Sequence, residues 1–321
     1  MTAPNTAATA PRTADEIIAL LRTSADEYKV AAAREGEVWG KEFSNTANNE
    51  ARVVDQAASA ELGLATSRLA LPKVLAERGM KFERGLSLAC GSGRAERQLV
   101  KAGTAASFLG IDLAEGALAE AEAEAKKYNL PITYERGDLN TLTLPRDSFD
   151  LVVTQNCLHH VLELEHLASE IWHALKPGGY LWIDDFIGET QFQWSDARLT
   201  IVNALIEGLP PELRRNRLQN RLVAPYQRRA AGTLVSPFEA IRSAEIVPIF
   251  RRWFDVETAK ETNAVLHLVM PVGTRSNYIE QEGGRTVYSV LKAIDESLIT
   301  TGLLPPLAGQ YLLRRRETPT Q

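Results

Sequence analysis

The chain has 321 residues, 45% of them hydrophobic and 24% charged, enough apolar material for one large core or a core with a smaller cap. Its net charge of −5 and pI of about 5.7 weigh against a long nucleic acid as partner, and no apolar run approaches the ~18 to 20 residues that span a bilayer. Two cysteines, Cys90 and Cys157, form neither a disulfide framework nor a metal-type spacing, which suits a reducing cytoplasm.

Residues 1–13, rich in Ala, Thr and Pro and without an apolar signal core, read as a disordered tail. From Ala14 to about Gly79 the pattern is helical, with Ile17, Ile18, Leu20, Leu21 and Tyr28 on one face and further segments near Asn49–Leu62 and Ser67–Arg78. The texture then changes. Leu86–Ala89 is strand-like, followed by Gly91-Ser92-Gly93 and a helix over Arg94–Ala102. Phe108–Ile111 is a second strand, Ala114–Tyr128 a helix and Ile132–Tyr134 a third strand. Leu151–Val153 is a fourth. An amphipathic helix carrying Leu164, Leu167, Ala168, Ile171 and Leu175 follows, and Lys176-Pro177-Gly178-Gly179 ends it before a fifth strand at Tyr180–Ile183.

This alternation predicts an α/β fold with a mostly parallel sheet and right-handed crossovers. Gly188–Arg252 breaks the rhythm as a long, mainly helical insertion. A sixth strand is expected at Phe254–Thr258, a helix at Arg285–Leu298 and the last strand at Gln310–Leu313. Ala264–Met270 is an alternative strand, set aside so that the intervening helix becomes a crossover.

Four loops at strand ends carry chemistry. Cys90-Gly91-Ser92-Gly93 lets a ligand approach the backbone and opens onto a helix N-terminus, although Gly-x-Gly alone also suits a structural turn or an NAD site. Asp112, after the second strand, can accept from both hydroxyls of a ribose or act at the start of the next helix. Gly137-Asp138-Leu139, after the third, offers a carboxylate and an N–H to an adenine ring or is simply a turn. Phe149–His160 runs from a buried strand into polar residues, at the edge where open α/β sheets bind ligands.

The ordered set ACGSGRAE, GID, GDL, FDLVVTQNCLHH and LKPGGYLWIDD resembles the class I, Rossmann-like S-adenosylmethionine (SAM)-dependent methyltransferases over about Gly85–Asp185. An NAD dehydrogenase would usually have a third glycine where this chain has Glu96. The resemblance implies a three-layer fold whose mostly parallel seven-stranded sheet has an antiparallel last strand. It implies SAM as cofactor and S-adenosylhomocysteine as product. Gly91 and Gly93 would flank the methionine part, Asp112 would hold the ribose and Asp138 and Leu139 the adenine, with Gln155 lining the pocket and Ala89, Cys90 and Leu113 also binding the cofactor. The division expected is a helical lid over 14–80, the SAM-binding core over 81–187, an acceptor cap over 188–252 and the end of the core over 253–321.

Methyl transfer from a sulfonium mainly needs alignment, and a general base helps where the acceptor is a hydroxyl. Base candidates are His159, His160, Asp184, Asp185 and Glu189, with His160 preferred and Asp185 as its partner facing the crevice. The two adjacent histidines are expected to diverge, one to the pocket and one to packing. Adjacent acids beside a histidine are also a set that Mg²⁺ can use for a diol acceptor, but no metal is expected. The cysteines read as packing residues.

Gln191, Phe192 and Trp194 open the insertion and are candidate acceptor contacts, with an aromatic anchor as the alternative. Six arginines in Arg214–Arg229 read as a solvated face or as a phosphate or carboxylate site. Trp39 and Phe43 are candidate lid residues. FIGETQFQW and SPFEAIRSAEIVPIF loosely resemble parts of bacterial glycan-associated methyltransferases. The expected function is transfer of a methyl group to a hydroxyl of a sugar-containing or secondary-metabolite small molecule. N-methylation of a small amine and a non-catalytic SAM sensor are the alternatives. No nucleic acid or membrane partner is expected, and a homodimer is compatible with the sequence.

Overall fold

The structure is a computed structural model that describes residues 13–45, 50–64, 67–232, 234 and 236–320, with 40–45 and 67–70 as backbone only. The tail at 1–12 and the Phe43 side chain lie outside the described residues. Thr13, expected in the tail, instead caps the first helix. Its side chain accepts from the Glu16 N–H while Glu16 accepts from the Thr13 N–H, and this reciprocal pair fixes where the helix starts.

The sheet strands are β1 (Phe82–Leu88), β2 (Ala105–Asp112), β3 (Ile132–Arg136), β4 (Phe149–Gln155), β5 (Leu175–Phe186), β6 (Phe254–Thr262) and β7 (Ala308–Arg315). Their order is β3-β2-β1-β4-β5-β7-β6, with β7 antiparallel to both neighbours and the rest parallel. The sequence reversal beside β1 is the switch point of an open α/β sheet, so the carboxyl ends of β1, β2 and β4 form a crevice.

Helices α1 (Ala14–Thr23), α2 (Ala25–Asn45), α3 (Glu50–Glu61) and α4 (Ser67–Glu77) precede the sheet. The crossovers hold α5 (Arg94–Lys101), α6 (Glu115–Lys127) and α7 (Leu164–Ala174). Helix α7 ends at Ala174. Phe149 pairs with Leu175 but Leu151 with Tyr180, so Lys176–Gly179 bulge out of register, with Gly178 at φ 78° supplying the turn.

The insertion holds α8 (Asp196–Gly208), short helical turns and a two-residue ribbon; α9 (Gly284–Thr300) lies between β6 and β7. Among the described residues three large apolar centres result, beside a small one of Leu21, Ala31, Leu162, Phe238 and Ile241. One lies between the sheet and α7 and includes Phe149, Ile171, Leu181 and Phe250. A second, on the opposite face, joins Leu71 and Leu75 of α4 to Phe108, Trp182 and Leu312. The third packs α8 against α9 through Val202, Ile206, Val265, Leu268 and Leu291. The alternative strand at Ala264–Met270 is a buried helical turn at the heart of that third centre. No helix among the described residues is long and apolar enough to cross a membrane.

Candidate active site

The loop after β1 is left-handed at Ala89 (φ 47°), Gly91 (φ 54°) and Gly93 (φ 74°). At Gly93 a Cβ would overlap the Tyr134 hydroxyl, so the residue at this close approach must be glycine. Asp112 ties this loop to β2. One carboxylate oxygen accepts the Gly91 N–H at 2.8 Å and the other the Ala114 N–H at 2.8 Å. Burial pushes its carboxyl up, against three backbone N–H groups that pull it down. Of its roughly four lone-pair sites, at least one remains for a ribose. Ala114, not Asp112, is the N-cap residue of α6. Glu96, where a dinucleotide site has its third glycine, is fully buried in the first turn of α5, and burial pushes its carboxyl up to about 7.

Asp138 follows β3. One of its oxygens accepts the Asn140 backbone and side-chain N–H groups at 2.9 and 3.2 Å, and the other accepts the Tyr28 hydroxyl at 2.6 Å. Burial and the Asp138 carboxylate push the Tyr28 phenol far above its ordinary value, so it stays protonated and donates. Tyr28 belongs to α2, which also sets Gly36 against Leu113. Leu139 packs at the margin of the core, and Gln155 pairs in register with Asp184 at the end of β4. The left-handed loop, a carboxylate with lone pairs to spare and a second carboxylate one strand over fit an adenosine-methionine ligand.

Asn156 (φ 51°) turns the chain out of β4 into a single 3₁₀ turn, Leu158–His160. Here two expectations are corrected. Asp185 faces His159, not His160: one oxygen contacts His159 Nδ1 and accepts the Phe186 N–H at 2.8 Å, and the other accepts the Cys157 and Leu158 N–H groups at 2.9 and 2.7 Å. Burial raises the Asp185 carboxyl, but His159 and these N–H groups outweigh it and hold it below the usual range. It is a saturated, ionised anchor. The two histidines also do not diverge; their ring centroids are 4.1 Å apart. Each Nδ1 is drawn to its own carboxylate, His159 to Asp185 and His160 to Glu35 of α2 at 2.9 Å. Both Nε2 atoms therefore face Glu239, at 3.6 and 3.8 Å.

Glu35 is further held by the Trp39 indole N–H at 2.6 Å and by the Ser236 hydroxyl. Burial raises its carboxyl, yet these contacts and His160 outweigh burial and leave it lowered. Asp184 accepts from the Gln310 amide at 3.1 Å, and burial pushes its carboxyl up to about 7. Glu189 accepts from buried Arg198 at 2.8 Å. With Asp184, Asp185 and Glu189 so engaged, the Mg²⁺ set considered on the two aspartates does not form, and the imidazoles remain the base candidates.

Gln191 is also corrected as an acceptor contact. It is buried, donates to the Glu239 carbonyl at 3.0 Å and accepts the Gly232 N–H at 3.0 Å, which uses its amide to hold the insertion. Phe192 and Trp194 meet Phe186 edge-to-face, with centroids 5.0 and 6.1 Å away, and Phe186 meets His159 at 6.2 Å. Arg217 pairs with Glu280 at 3.0 Å and Arg228 with Asp196, so these two members of the arginine stretch serve the surface. Cys157 is buried, and burial raises both cysteine thiols far above their ordinary value. Sequence reasoning missed Tyr28, Glu35, Phe186 and Glu239. The first two had helical periodicity as their only signal, and Glu239 sits in a loop with none.

A Rossmann-like sheet with this reversed last strand, and with acids after β2 and β3 around a left-handed loop, defines a class I SAM-dependent methyltransferase domain. Residues 86–183 match the family described as "Methyltransferase domain", and the chain carries a domain of that family. The chain is 28% identical over 123 residues to the phthiotriol/phenolphthiotriol dimycocerosates methyltransferase of Mycobacterium leprae, covering 36% of this chain and 44% of that protein. It is 28% identical over 169 residues to a ubiquinone biosynthesis O-methyltransferase of Bradyrhizobium, covering 48% and 63%. The chain thus spans less than two thirds of the length of these relatives. A solved SAM-dependent methyltransferase from Mesorhizobium loti superposes with a TM-score of 0.43 at 19% identity, covering 78% of this chain and 99% of that one.

Proposed function

We propose that the protein transfers the methyl group of SAM to a hydroxyl of a small molecule, a sugar-containing or secondary-metabolite acceptor, and that His160 takes the hydroxyl proton. The observation that carries the reading is the His160 imidazole, whose Nδ1 lies 2.9 Å from buried Glu35 just past β4. A carboxylate charge beside Nδ1 favours the imidazolium formed after proton transfer to Nε2. An alcohol benefits from such a base, whereas a neutral amine needs none. Glu35 replaces Asp185 as the partner. The cofactor supplies an activated methyl whose bond to sulfur breaks as the oxygen–carbon bond forms, leaving S-adenosylhomocysteine. Phe186 offers an apolar ring beside His159, with Phe192 packed against it, for the face of a sugar or aromatic acceptor.

The test is methyl transfer from labelled SAM to a panel of hydroxyl and amine acceptors by wild-type protein and His160→Ala. The variant should lose roughly 10² to 10⁴ in kcat and keep its affinity for S-adenosylhomocysteine. Glu35→Gln should act in the same direction but more weakly. Near-normal turnover of His160→Ala, or transfer to amines alone, would overturn the assignment.

A further inference from the structure

We infer that His159, His160 and Glu239 form a binding site for one divalent first-row transition cation of the zinc type. One ligand atom from each of the three lies within 4.8 Å of the others. The two Nε2 atoms stand 3.6 and 3.8 Å from the Glu239 carboxylate. A tetrahedral ion with bonds of about 2.0 to 2.1 Å holds its ligands roughly 3.3 Å apart, so closing on the ion from separations of up to 4.8 Å needs the side chains to draw in by no more than about 1.5 Å between any pair.

Proximity is the lesser part of the argument. In metal sites a ligating imidazole nearly always has its other ring nitrogen on a carboxylate, which fixes the tautomer and raises the basicity of the ligand atom. Here both imidazoles have a carboxylate beside that nitrogen, from two unrelated parts of the chain. Asp185 of β5 bonds Nδ1 of His159, and Glu35 of α2 lies 2.9 Å from Nδ1 of His160 as an ion pair without hydrogen-bond geometry. The third ligand is positioned as firmly. The Ile241 N–H donates to the His159 carbonyl at 3.0 Å and Gln191 to the Glu239 carbonyl at 3.0 Å, which pins the Glu239 loop over the histidine turn. Ala240, next to Glu239, has φ 49°, a left-handed conformation that turns the chain at the ligand.

Two imidazoles and one carboxylate select Zn²⁺ or Co²⁺ over Mg²⁺, which prefers oxygen ligands and keeps its waters. Three protein ligands leave a fourth position open. A cation there takes the Nε2 lone pair that proton abstraction by His160 uses, so loading and base action exclude each other. The inference stands on the side-chain geometry whichever acceptor the protein methylates.

The test uses the full-length chain stripped with a chelator and titrated with Zn²⁺ by calorimetry and with Co²⁺ by visible absorption. The expected result is a saturable 1:1 isotherm at micromolar metal and the visible bands of low-coordinate Co²⁺. His159→Ala and the milder Glu239→Gln should abolish the Co²⁺ bands. Glu35→Gln, which leaves all three ligands in place, should weaken binding about 10- to 100-fold. His173→Ala, whose imidazole bonds the Ser169 carbonyl at 2.9 Å within α7, should bind as wild type. Binding of S-adenosylhomocysteine by each variant checks the fold independently of the metal. No saturable 1:1 binding, or equal affinity in wild type and Glu239→Gln, would overturn the site.

Discussion

The carboxylate of Asp112 accepts the N–H groups of Gly91 and Ala114 and so braces the cofactor loop as well as facing the crevice. Asp112→Ala should therefore have two effects. S-adenosylhomocysteine binding should weaken by about tenfold or more, since each charge-assisted bond is worth roughly 1.5 to 3 kcal/mol. The ligand-free melting temperature should also fall, because two N–H groups lose their acceptor. Calorimetry with a thermal melt checks both, and unchanged affinity in a folded variant would refute the ribose role.

Asp184 behaves in the opposite sense. Its carboxyl moves from an ordinary value of 3.8 to about 7 on burial, so folding favours the protonated form. That contribution to stability is full below about 3.8 and is lost as pH rises through 7. Asp184→Asn cannot ionise and can still accept from Gln310. It should match wild type near pH 4 and exceed it by on the order of a few kcal/mol at pH 8, as denaturant melts across pH would report. At this scale the sequence located Asp112 and Asp138, because strand ends fix where such residues emerge. It misassigned Asp185, since which of two adjacent histidines a buried acid meets depends on the geometry of one 3₁₀ turn.

Among the elements, the strands and crossover helices were legible because hydrophobic period and glycine loops alternate cleanly from Leu86 to Ile183. The insertion was legible only as a break in that rhythm. Its attachment depends on single buried polar groups that no periodicity announces. Arg198 of α8 is fully buried, pairs with Glu189 at 2.8 Å and donates to the Ala264 and Pro305 carbonyls, the latter at 2.9 Å. It joins the insertion to the segments flanking β6 and β7. Removing one partner of a buried ion pair strands the other charge and costs about 3 to 5 kcal/mol. Arg198→Met should accordingly lower the melting temperature by many degrees. A melt within a degree or two of wild type would show that α8 is held by its apolar face alone.

Across the whole molecule, the seven-stranded sheet with its antiparallel last strand matches what the family resemblance implies. The third apolar centre was not legible that way. It joins residues more than 60 positions apart, Val202 and Val265 among them, and strand-by-strand reading cannot see such a union. The methyltransferase domain carries its own prediction at this scale. Saturating S-adenosylhomocysteine should raise the melting temperature by mass action, since a hundredfold excess over Kd adds about 2.7 kcal/mol of stability. NAD and NADP should leave it unchanged. A shift with NAD and none with S-adenosylhomocysteine would reassign the crevice.

Helix α2 touches the edge of that crevice at three points: Gly36 on Leu113, Tyr28 on Asp138 and Glu35 on His160. These lie past β2, β3 and β4, so one rigid rod bridges the exits of three strands. Loosening one of these contacts should shorten the residence time of the product more than it changes the rate of capture. Tyr28→Phe, measured by stopped-flow displacement of S-adenosylhomocysteine, should release it several-fold faster, and an enzyme limited by that departure would turn over faster for having lost a hydrogen bond.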